Sequence, residues 1–234
     1  MLVSVVVPAF NEEKYIRRCL TALACQEHPD FEMETIVVDD GSTDGTGAIA
    51  RQFGVRVIAQ TRRGVSGARQ TGFEAARGEI IASMDADSEP PRDWLVRLVA
   101  ALQNTPGVVG VYGPIRLCGG HSYEEWISSS LSGLFFWLNN RISKPTFSGQ
   151  NFAVWHDAWA HVGGFNPAWA SSEDTLLSLK LARIGRVRFC WDIVVPTSAR
   201  RAQEGHWNIF KRSFFNYFRV LWLNKSPLPF QDFR

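Results

Sequence analysis

Two aspartates lie two residues apart at the end of an apolar run of sequence. Asp85 and Asp87 follow residues 80–84, and at this spacing both side chains lie on the same side of an extended segment. Carboxylate oxygens placed in this way can hold a divalent cation, which would bridge phosphate oxygens and neutralise a departing diphosphate. The alternative is an acidic turn that caps the helix after Pro90 and Pro91. On spacing alone, both interpretations stay open.

The loop at residues 39–45 is a second acidic stretch that follows an apolar run. Its carboxylates can accept hydrogen bonds from the N–H groups of a nucleobase, and Gly41 and Gly45 permit close approach of the backbone. The alternative is a simple turn in which Asp44 caps a helix. A nucleotide-binding loop and a structural turn are both consistent with this sequence.

A third acidic pair, Glu173 and Asp174, precedes an apolar helical period. A carboxylate at the start of a helix ordinarily caps the helix or interacts with its dipole. The functional alternative is a general base that takes a proton from an attacking hydroxyl group.

The elements that must position these residues follow from the alternation of short β-branched runs with helical periods. Ile16, Leu20 and Leu23 recur at helical spacing after the first run. The fold class indicated is α/β, with a mostly parallel central sheet flanked by helices. The expected strands of the first half are residues 4–7, 35–38, 55–59 and 80–84. Ligands of such sheets bind where the loops at the carboxyl ends of the strands converge. These predicted loops are residues 8–11, 39–45, 60–66 and 85–87.

The second half of the chain has a different character, because glycine and aromatic residues crowd between Val108 and Trp191. A helix is expected around residues 123–139, a strand near 151–155 and a helix at 173–184. The sequence contains no internal repeat and no linker. We therefore expect one continuous domain over residues 1–234.

Composition narrows the classes of protein that need consideration. In 234 residues, 45% hydrophobic and 21% charged side chains are typical of a folded protein and exclude global disorder. A formal net charge of +2 is too small for nucleic acid as the main partner. The four cysteines have no CxxC spacing, which argues against a zinc or redox motif. The cytoplasm is the expected compartment, since the sequence shows no secretory signal and no apolar window of about 18 residues.

Five stretches occur in order along the chain, and together they resemble the family 2 glycosyltransferases of the GT-A fold. They are VVVPAFNE at 5–12, VVDDGSTD at 37–44, GARQTG at 67–72, DAD at 85–87 and ED at 173–174. The resemblance implies inverting transfer of a sugar from a UDP- or GDP-linked donor to an acceptor hydroxyl or a lipid phosphate. The parts of the domain would be a nucleotide-sugar-binding half at 1–114, an acceptor and catalytic half at 115–199, and a basic aromatic tail at 200–234.

The resemblance also implies which residues bind the donor. Asp40 would contact the base, and Arg69 would lie near the base or the diphosphate. Gly149 and Gln150 would line the donor sugar. Four residues would surround the nucleoside: Pro8, Phe10, Glu12 and Asp39. Gln70 departs from the pattern, because the family commonly has Asn there.

The remaining implied roles concern the cation and the reaction. Asp87 would ligate a Mg²⁺ or Mn²⁺ ion with help from His206, and Asp85 would bind the ion and the sugar or ribose. Asp174 would be the general base. Glu173 would bind the acceptor or orient the site.

The basic tail supports two interpretations. Residues 206–225 carry aromatic side chains at spacings near three and four, interspersed with lysine and arginine. A helix of this kind can lie in the plane of an anionic membrane surface, which would give reversible contact with the inner face of the membrane. The alternative is a terminal helix that packs on the core or on a partner.

A rival function for the chain is a non-catalytic module that binds a nucleotide sugar or a glycan on the same fold. The carboxylates Asp85, Asp87 and Asp174 argue against it, because a binding module does not need a general base. The expected partners are therefore a nucleotide-sugar donor and a glycan or lipid-linked acceptor, with no nucleic acid.

Overall fold

The computed structural model describes residues 1–28, 30–60, 64–119, 122–166, 169, 172–199, 216, 219 and 220. The strands within these ranges are β1 Leu2–Ala9, β2 Glu32–Asp39, β3 Arg56–Ala59, β4 Ile80–Ser83, β5 Val108–Tyr112, β6 Ile115–Cys118, β7 Phe152–Trp155, β8 Arg186–Phe189 and β9 Val195–Ser198. The helices are α1 Ile16–Ala24, α2 Thr46–Gln52, α3 Val65–Ala75, α4 Trp94–Gln103, α5 Ser122–Arg141, α6 His156–His161 and α7 Glu173–Leu181.

Seven of these strands form one sheet in the order β3-β2-β1-β4-β7-β5-β8. The neighbours β3, β2, β1 and β4 are all parallel, and β5 is parallel to β8. β7 runs antiparallel to both β4 and β5. A second, two-stranded sheet pairs β6 with β9. The predicted fold class, a mostly parallel sheet flanked by helices, is confirmed.

Helices cover both faces of the large sheet, which explains why the central strands β1 and β4 are mostly apolar and buried. Val3, Val5 and Val7 of β1 pack into an apolar cluster with α1 and α4. Val6 of the same strand points the other way, into a cluster with Phe73 of α3 and side chains of α6 and α7. The alternation of side chains along β1 therefore supplies both layers of the core.

Strand direction determines which loops meet at the functional edge. Ala9 lies beside Asp39, and Val6 lies beside Ser83, so the parallel strands β1, β2 and β4 end at the same edge. Because β7 is antiparallel, its first residue, Phe152, lies beside Ser83 at the end of β4. The loop before β7 therefore joins the loops after the parallel strands.

α3 lies unusually close to the sheet because of a glycine. A Cβ atom at Gly72 would overlap Val6 and lie 3.0 Å from Cγ2 of Val38, and both valines are fully buried. The absence of a side chain at this position allows the helix to pack directly on β1 and β2. This close packing places the preceding turn of α3, which carries Arg69, against the end of β4.

α5 is a helix of 20 residues that packs beside β6 and β8. Among the described parts of the chain, no helix combines the length and the apolarity that a membrane span requires.

We expect Gly72→Ala to lower the free energy of unfolding by about 1–3 kcal/mol, since the added methyl group must push α3 away from two buried valines. Urea unfolding of the variant and the parent chain measures the difference. Thr71→Ala is the matched control, because residue 71 is on the same helix but only half-buried. An unchanged midpoint for Gly72→Ala would show that the close packing of α3 contributes nothing to stability.

Candidate active site

The loops that follow β1 and β2 are bound to each other by hydrogen bonds between side chains and backbone. Asn11 has a positive φ of 53°, and its backbone N–H donates to Oγ of Ser42 at 3.0 Å. In return, Thr43 donates its N–H to Oδ1 of Asn11 at 2.9 Å. Glu13 donates its N–H to Oδ2 of Asp44 at 3.1 Å. The two loops therefore form one wall at the carboxyl edge of the sheet.

This wall carries most of the residues expected around the nucleoside. Pro8 and Phe10 are half-buried, and Glu12 is buried, with its N–H donating to Oγ1 of Thr46 at 2.7 Å. Asp39 accepts a hydrogen bond on Oδ1 from the N–H of Ser42 at 2.9 Å. The predicted donor-binding residues of this group lie on adjacent strand ends, and their roles stay predictions.

Asp40 connects the end of β2 to the start of α3. Its Oδ2 accepts from the N–H of Gly64 at 2.9 Å, and its Oδ1 accepts from Nε2 of Gln60. The buried carboxylate is therefore fixed by two neighbours that the sequence did not single out. If Asp40 contacts the base as predicted, it does so with a side chain that is already held in position.

Asp44 has the structural role that the sequence left open. Its Oδ1 accepts from the N–H of Thr46 at 3.0 Å, at the beginning of α2. Burial alone would raise the pKa of Asp44, but the hydrogen bonds from Thr46 outweigh burial and lower that pKa. This carboxylate stabilises the start of α2.

A buried arginine joins three of the predicted site segments. The guanidinium group of Arg69 donates to Oε1 of Glu173 and, at 2.5 Å, to Oδ1 of Asp85. Its Nε donates to Oγ of Ser83 at 3.3 Å. Arg69 is 3% exposed and Glu173 is 3% exposed, so this ion pair is shielded from water. We call Arg69, Ser83, Asp85 and Glu173 the Arg69 cluster.

The loop before β7 closes over this cluster. Ser83 donates its hydroxyl to the backbone oxygen of Gly149 at 2.6 Å. A Cβ atom at Gly149 would overlap the guanidinium group of Arg69, so only glycine permits this approach. Gln150 is half-buried beside it and accepts a hydrogen bond from Oγ of Ser148 at 3.0 Å. Gly149 therefore lies directly against Arg69, and its predicted role at the donor sugar stays a prediction.

Asp174 lies next to the cluster in the first turn of α7. The turn begins at Ser172, which has a φ of 58°, and Oδ1 of Asp174 accepts from the N–H of Thr175 at 2.7 Å. Burial, followed by the negative charge of Glu173, raises the pKa of Asp174 to about 7, although Arg69 acts in the opposite direction. A carboxylate with such a pKa can accept a proton and release it again near neutral pH.

α3 also holds the chain at residues 165 and 166. Gln70 accepts a hydrogen bond on Oε1 from the N–H of Phe165 at 2.8 Å. Ser66 donates its hydroxyl to the backbone oxygen of Asn166 at 2.8 Å, and Nζ of Lys180 donates to the backbone oxygen of Gly164 at 2.9 Å. One face of α3 therefore carries Arg69 and also holds Phe165 and Asn166.

Asp87 lies beyond Asp85 and contacts the small sheet. Its Oδ1 accepts from Oγ1 of Thr197 at 3.4 Å, and its backbone oxygen accepts from the N–H of Ser198 at 3.1 Å. Burial, and then the charges of Asp87 and Asp85, raise the pKa of the nearby Cys19 thiol. The two aspartates therefore create a negative potential at the end of β4.

The donor set fits a divalent cation in its chemistry. Asp85 and Asp87 are half-buried carboxylates, and carboxylate oxygens are the ligands that Mg²⁺ and Mn²⁺ prefer. In the part of the chain that the structure describes, no group of three His, Cys, Asp or Glu side chains is placed to hold a metal. The predicted third ligand, His206, and the predicted aromatic helix at 206–225 lie outside the described residues, apart from three positions in the helix.

The structure thus brings part of the predicted site into direct contact. Arg69, Asp85, Glu173 and Gly149 touch one another or share Ser83, while the residues of the β1 and β2 loops occupy the neighbouring wall. Sequence reasoning missed Ser83, although a hydroxyl inside the otherwise apolar run 80–84 is a usable signal. It also noted Gln70 only as a departure from a pattern and missed Thr197.

Comparison with known families supports an enzymatic assignment. The model of the family described as "Glycosyl transferase family 2" matches residues 4–167, which includes every described site segment except the one with Glu173 and Asp174. A "Glycosyltransferase AglE" from Haloferax volcanii is 38% identical over 160 residues, which are 64% of this chain and 49% of the relative. The chain spans about half the length of the curated relatives that it matches.

Two further proteins that are similar to this chain have names that include a substrate or a bound ligand. An undecaprenyl-phosphate 4-deoxy-4-formamido-L-arabinose transferase from Aeromonas hydrophila is 31% identical over 154 residues, covering 62% of this chain and 44% of the relative. A solved mannosyltransferase from Pyrobaculum calidifontis, in complex with GDP-Man and Mn²⁺, has a TM-score of 0.76 at 25% identity. That similarity covers 97% of this chain and 65% of the solved chain, and the neighbours confirm the GT-A fold.

We expect Asp174→Asn to raise the free energy of unfolding at pH 8 by about 1–3 kcal/mol, and by much less at pH 5, in buffer without divalent cations. The pKa of Asp174 is about 7 in the folded chain, above its ordinary value of 3.8, so the folded state binds more protons between these values. Ionisation of this carboxyl group therefore lowers the free energy of unfolding as the pH rises from 3.8 through about 7. The amide removes the charge and keeps an oxygen for the N–H of Thr175.

Urea unfolding at the two pH values tests this expectation. Asp157→Asn is the control, because Asp157 is an exposed aspartate in the first turn of another helix, α6. Equal effects of the two substitutions at pH 8 would contradict the half-buried, charge-repelled environment described for Asp174.

Proposed function

The chain belongs to glycosyl transferase family 2, and from this premise we propose that it transfers a sugar from a UDP- or GDP-linked donor to an acceptor, with inversion at the anomeric carbon. The observation that carries the proposal is the convergence of acidic groups from distant stretches of sequence around Arg69, at the carboxyl edge of the sheet. Clefts at this edge are where α/β sheets bind nucleotides.

The donor would occupy the wall formed by the loops after β1 and β2. Asp40 is the proposed contact for the base, and its carboxylate is held by Gln60 and Gly64. Gly149 and Gln150 would line the sugar from the opposite side. GDP-Man in the Pyrobaculum calidifontis structure supports a nucleoside-diphosphate sugar as the donor class.

Asp174 is the proposed general base. It would take the proton from an attacking acceptor hydroxyl while that oxygen forms a bond to the anomeric carbon and the bond to the diphosphate oxygen breaks. One displacement of this kind inverts the carbon, and no covalent intermediate with the protein is needed. The attacking oxygen of a lipid phosphate acceptor is already ionised at neutral pH, so it needs no general base. With such an acceptor, Asp174 would have only an indirect role in orienting the oxygen.

Arg69 and Glu173 would act mainly by placing other groups. Glu173 was expected either to bind the acceptor or to orient the site, and its buried ion pair with Arg69 supports orientation. Arg69 in turn contacts Asp85, so it fixes the end of β4 relative to the start of α7. Positioning of this kind supplies a large part of the rate in enzymes that juxtapose two substrates.

Asp85 and Asp87 would hold a Mg²⁺ or Mn²⁺ ion, with His206 as a further proposed ligand. Such an ion neutralises negative charge on the departing diphosphate. The Mn²⁺ in the Pyrobaculum calidifontis complex supports this class of cofactor. A lipid phosphate as one acceptor class is supported by the Aeromonas hydrophila relative, whose name includes undecaprenyl phosphate.

A panel of nucleotide sugars tested by thermal shift with Mn²⁺ is the direct test of the donor proposal. A ligand that binds the folded chain raises the melting temperature by mass action. Stabilisation by one or two UDP- or GDP-linked sugars, and not by the free sugars, is the expected result. No stabilisation by any nucleotide or nucleotide sugar would overturn the proposal.

Asp174→Asn is expected to lower the turnover number by about 10²- to 10⁴-fold with a hydroxyl acceptor, because a general base contributes on that scale. Donor affinity should stay within the range of the parent chain. In the parent chain, kcat/KM should rise with pH up to about 7, since only the ionised carboxylate accepts a proton.

Asp157→Asn again serves as the control for charge removal elsewhere. A variant Asp174→Asn with unchanged turnover would remove this residue from the mechanism. A parent chain that binds the donor tightly and shows no transfer to any acceptor would instead favour the rival function, a non-catalytic binding module.

Asp87→Ala is expected to abolish the dependence of donor affinity on Mn²⁺, because it removes one of the two proposed carboxylate ligands. Calorimetry with and without the metal measures the effect. Asp93→Ala, close in sequence but paired with Arg97 on α4, is the matched control. A parent chain whose donor affinity is the same with and without Mn²⁺ would refute the metal assignment.

A further inference from the structure

α5 carries a band of large apolar side chains on its solvent side. Six of them are 37–69% exposed: Trp126, Ile127, Leu131, Leu134, Trp137 and Leu138. At 3.6 residues per turn they fall within an arc of about 140° around the helix axis. We call these six residues the α5 face. Scattered single apolar residues on a surface need no explanation, but a continuous band of this size does.

The opposite side of α5 fixes the orientation of the helix. Ser132 donates its hydroxyl to the backbone oxygen of Ile115 in β6 at 2.9 Å, and Asn140 donates from Nδ2 to the backbone oxygen of Val187 in β8 at 2.8 Å. Phe136 is buried in the core. The helix therefore cannot turn its apolar band inward without breaking these contacts.

The charges at the C-terminal end of the α5 face match an anionic lipid surface. Glu124 and Glu125 precede the apolar band, but the sequence has no aspartate or glutamate from residue 126 to residue 156, and Arg141 and Lys144 follow the band. The guanidinium group of Arg141 lies 5.8 Å from the ring centre of Trp137. Tryptophan beside a basic residue is the combination that favours the boundary between lipid headgroups and acyl chains.

We propose that the α5 face binds the surface of an anionic bilayer, with the helix in the plane of that surface. Leucine and isoleucine side chains would enter the headgroup region, and Arg141 and Lys144 would contact acidic headgroups. The binding surface itself does not depend on the proposed glycosyl transfer. Its use in bringing a lipid-linked acceptor to the enzyme does rest on that function.

The position of α5 relative to Asp87 gives this surface a consequence for the site. α5 is bonded to β6 through Ser132, and β6 pairs with β9, where Leu117 lies beside Thr197. Thr197 in turn donates to Asp87 at 3.4 Å. Within the described residues, the small sheet therefore connects α5 to the Asp87 end of the site.

Flotation of the full chain with lipid vesicles tests the proposal. The chain should float with vesicles of phosphatidylcholine that contain about one-third phosphatidylglycerol, and less with phosphatidylcholine alone. The double variant Leu134→Glu with Leu138→Glu should lower the partition coefficient at least about tenfold, because each change removes an apolar contact and adds a repelled charge. Ile184→Glu is the matched control, because Ile184 is 43% exposed and Leu134 is 45% exposed.

Three results would overturn the proposal. One is a parent chain that ignores anionic vesicles. Another is a double variant that binds as the parent does, which would locate binding elsewhere, for instance in residues 200–234. The third is a parent chain that does not bind vesicles but forms a dimer in sedimentation experiments, when the double variant abolishes that dimer. The α5 face would then bind a second copy of the chain.

The milder pair Leu134→Ser with Leu138→Ser, together with thermal melting of every variant, separates loss of binding from loss of folding. The milder pair should also weaken binding, by less than the glutamate pair. Vesicle binding is measured without any sugar donor, so its outcome is independent of whether the proposed transfer reaction is correct.

Discussion

A buried guanidinium group with two carboxylate partners is the constraint on which this site depends. Arg69 is almost inaccessible to water, so its charge is tolerable only while Glu173 and Asp85 remain in contact with it. Removing one partner of a buried ion pair typically costs about 3–5 kcal/mol. The start of α7, the end of β4 and the middle of α3 are therefore held in one arrangement. Ser83 and Gly149 complete it, since the serine hydroxyl joins the guanidinium to the loop that passes over it.

The reversed direction of β7 is what lets the loop before this strand contribute to the edge formed by the first half. Parallel strands deliver the residues after their ends to this edge, whereas an antiparallel neighbour delivers the residues before its start. Gly149 reaches the Arg69 cluster for this reason, because Phe152 lies beside Ser83. A parallel β7 would have carried this loop to the opposite edge of the sheet.

The sequence was sufficient for the parallel strands and for the edge at which the acidic loops meet, because the alternation of apolar runs and helical periods is strong up to Met84. It could not predict the direction of β7, since a short apolar run has no polarity of its own. It also could not predict that Arg69 would face protein carboxylates, because pairing across 104 residues depends on packing that no local pattern records. Gly72 illustrates the same limit, as its importance comes from two valines on other elements.

The balance of charge in the Arg69 cluster supports the proposed role of a cation. Arg69 is the one guanidinium within the described cluster, and its charge is shared among Asp85, Glu173 and Asp174. Asp174 is accordingly left in a negative environment, which is the second cause of its raised pKa after burial. A nucleoside diphosphate would bring further negative charge to this edge, where Arg69 is already neutralised. The proposed binding of a donor would therefore be favoured by a positive charge from outside the cluster, for which Asp85 and Asp87 are the proposed oxygen ligands.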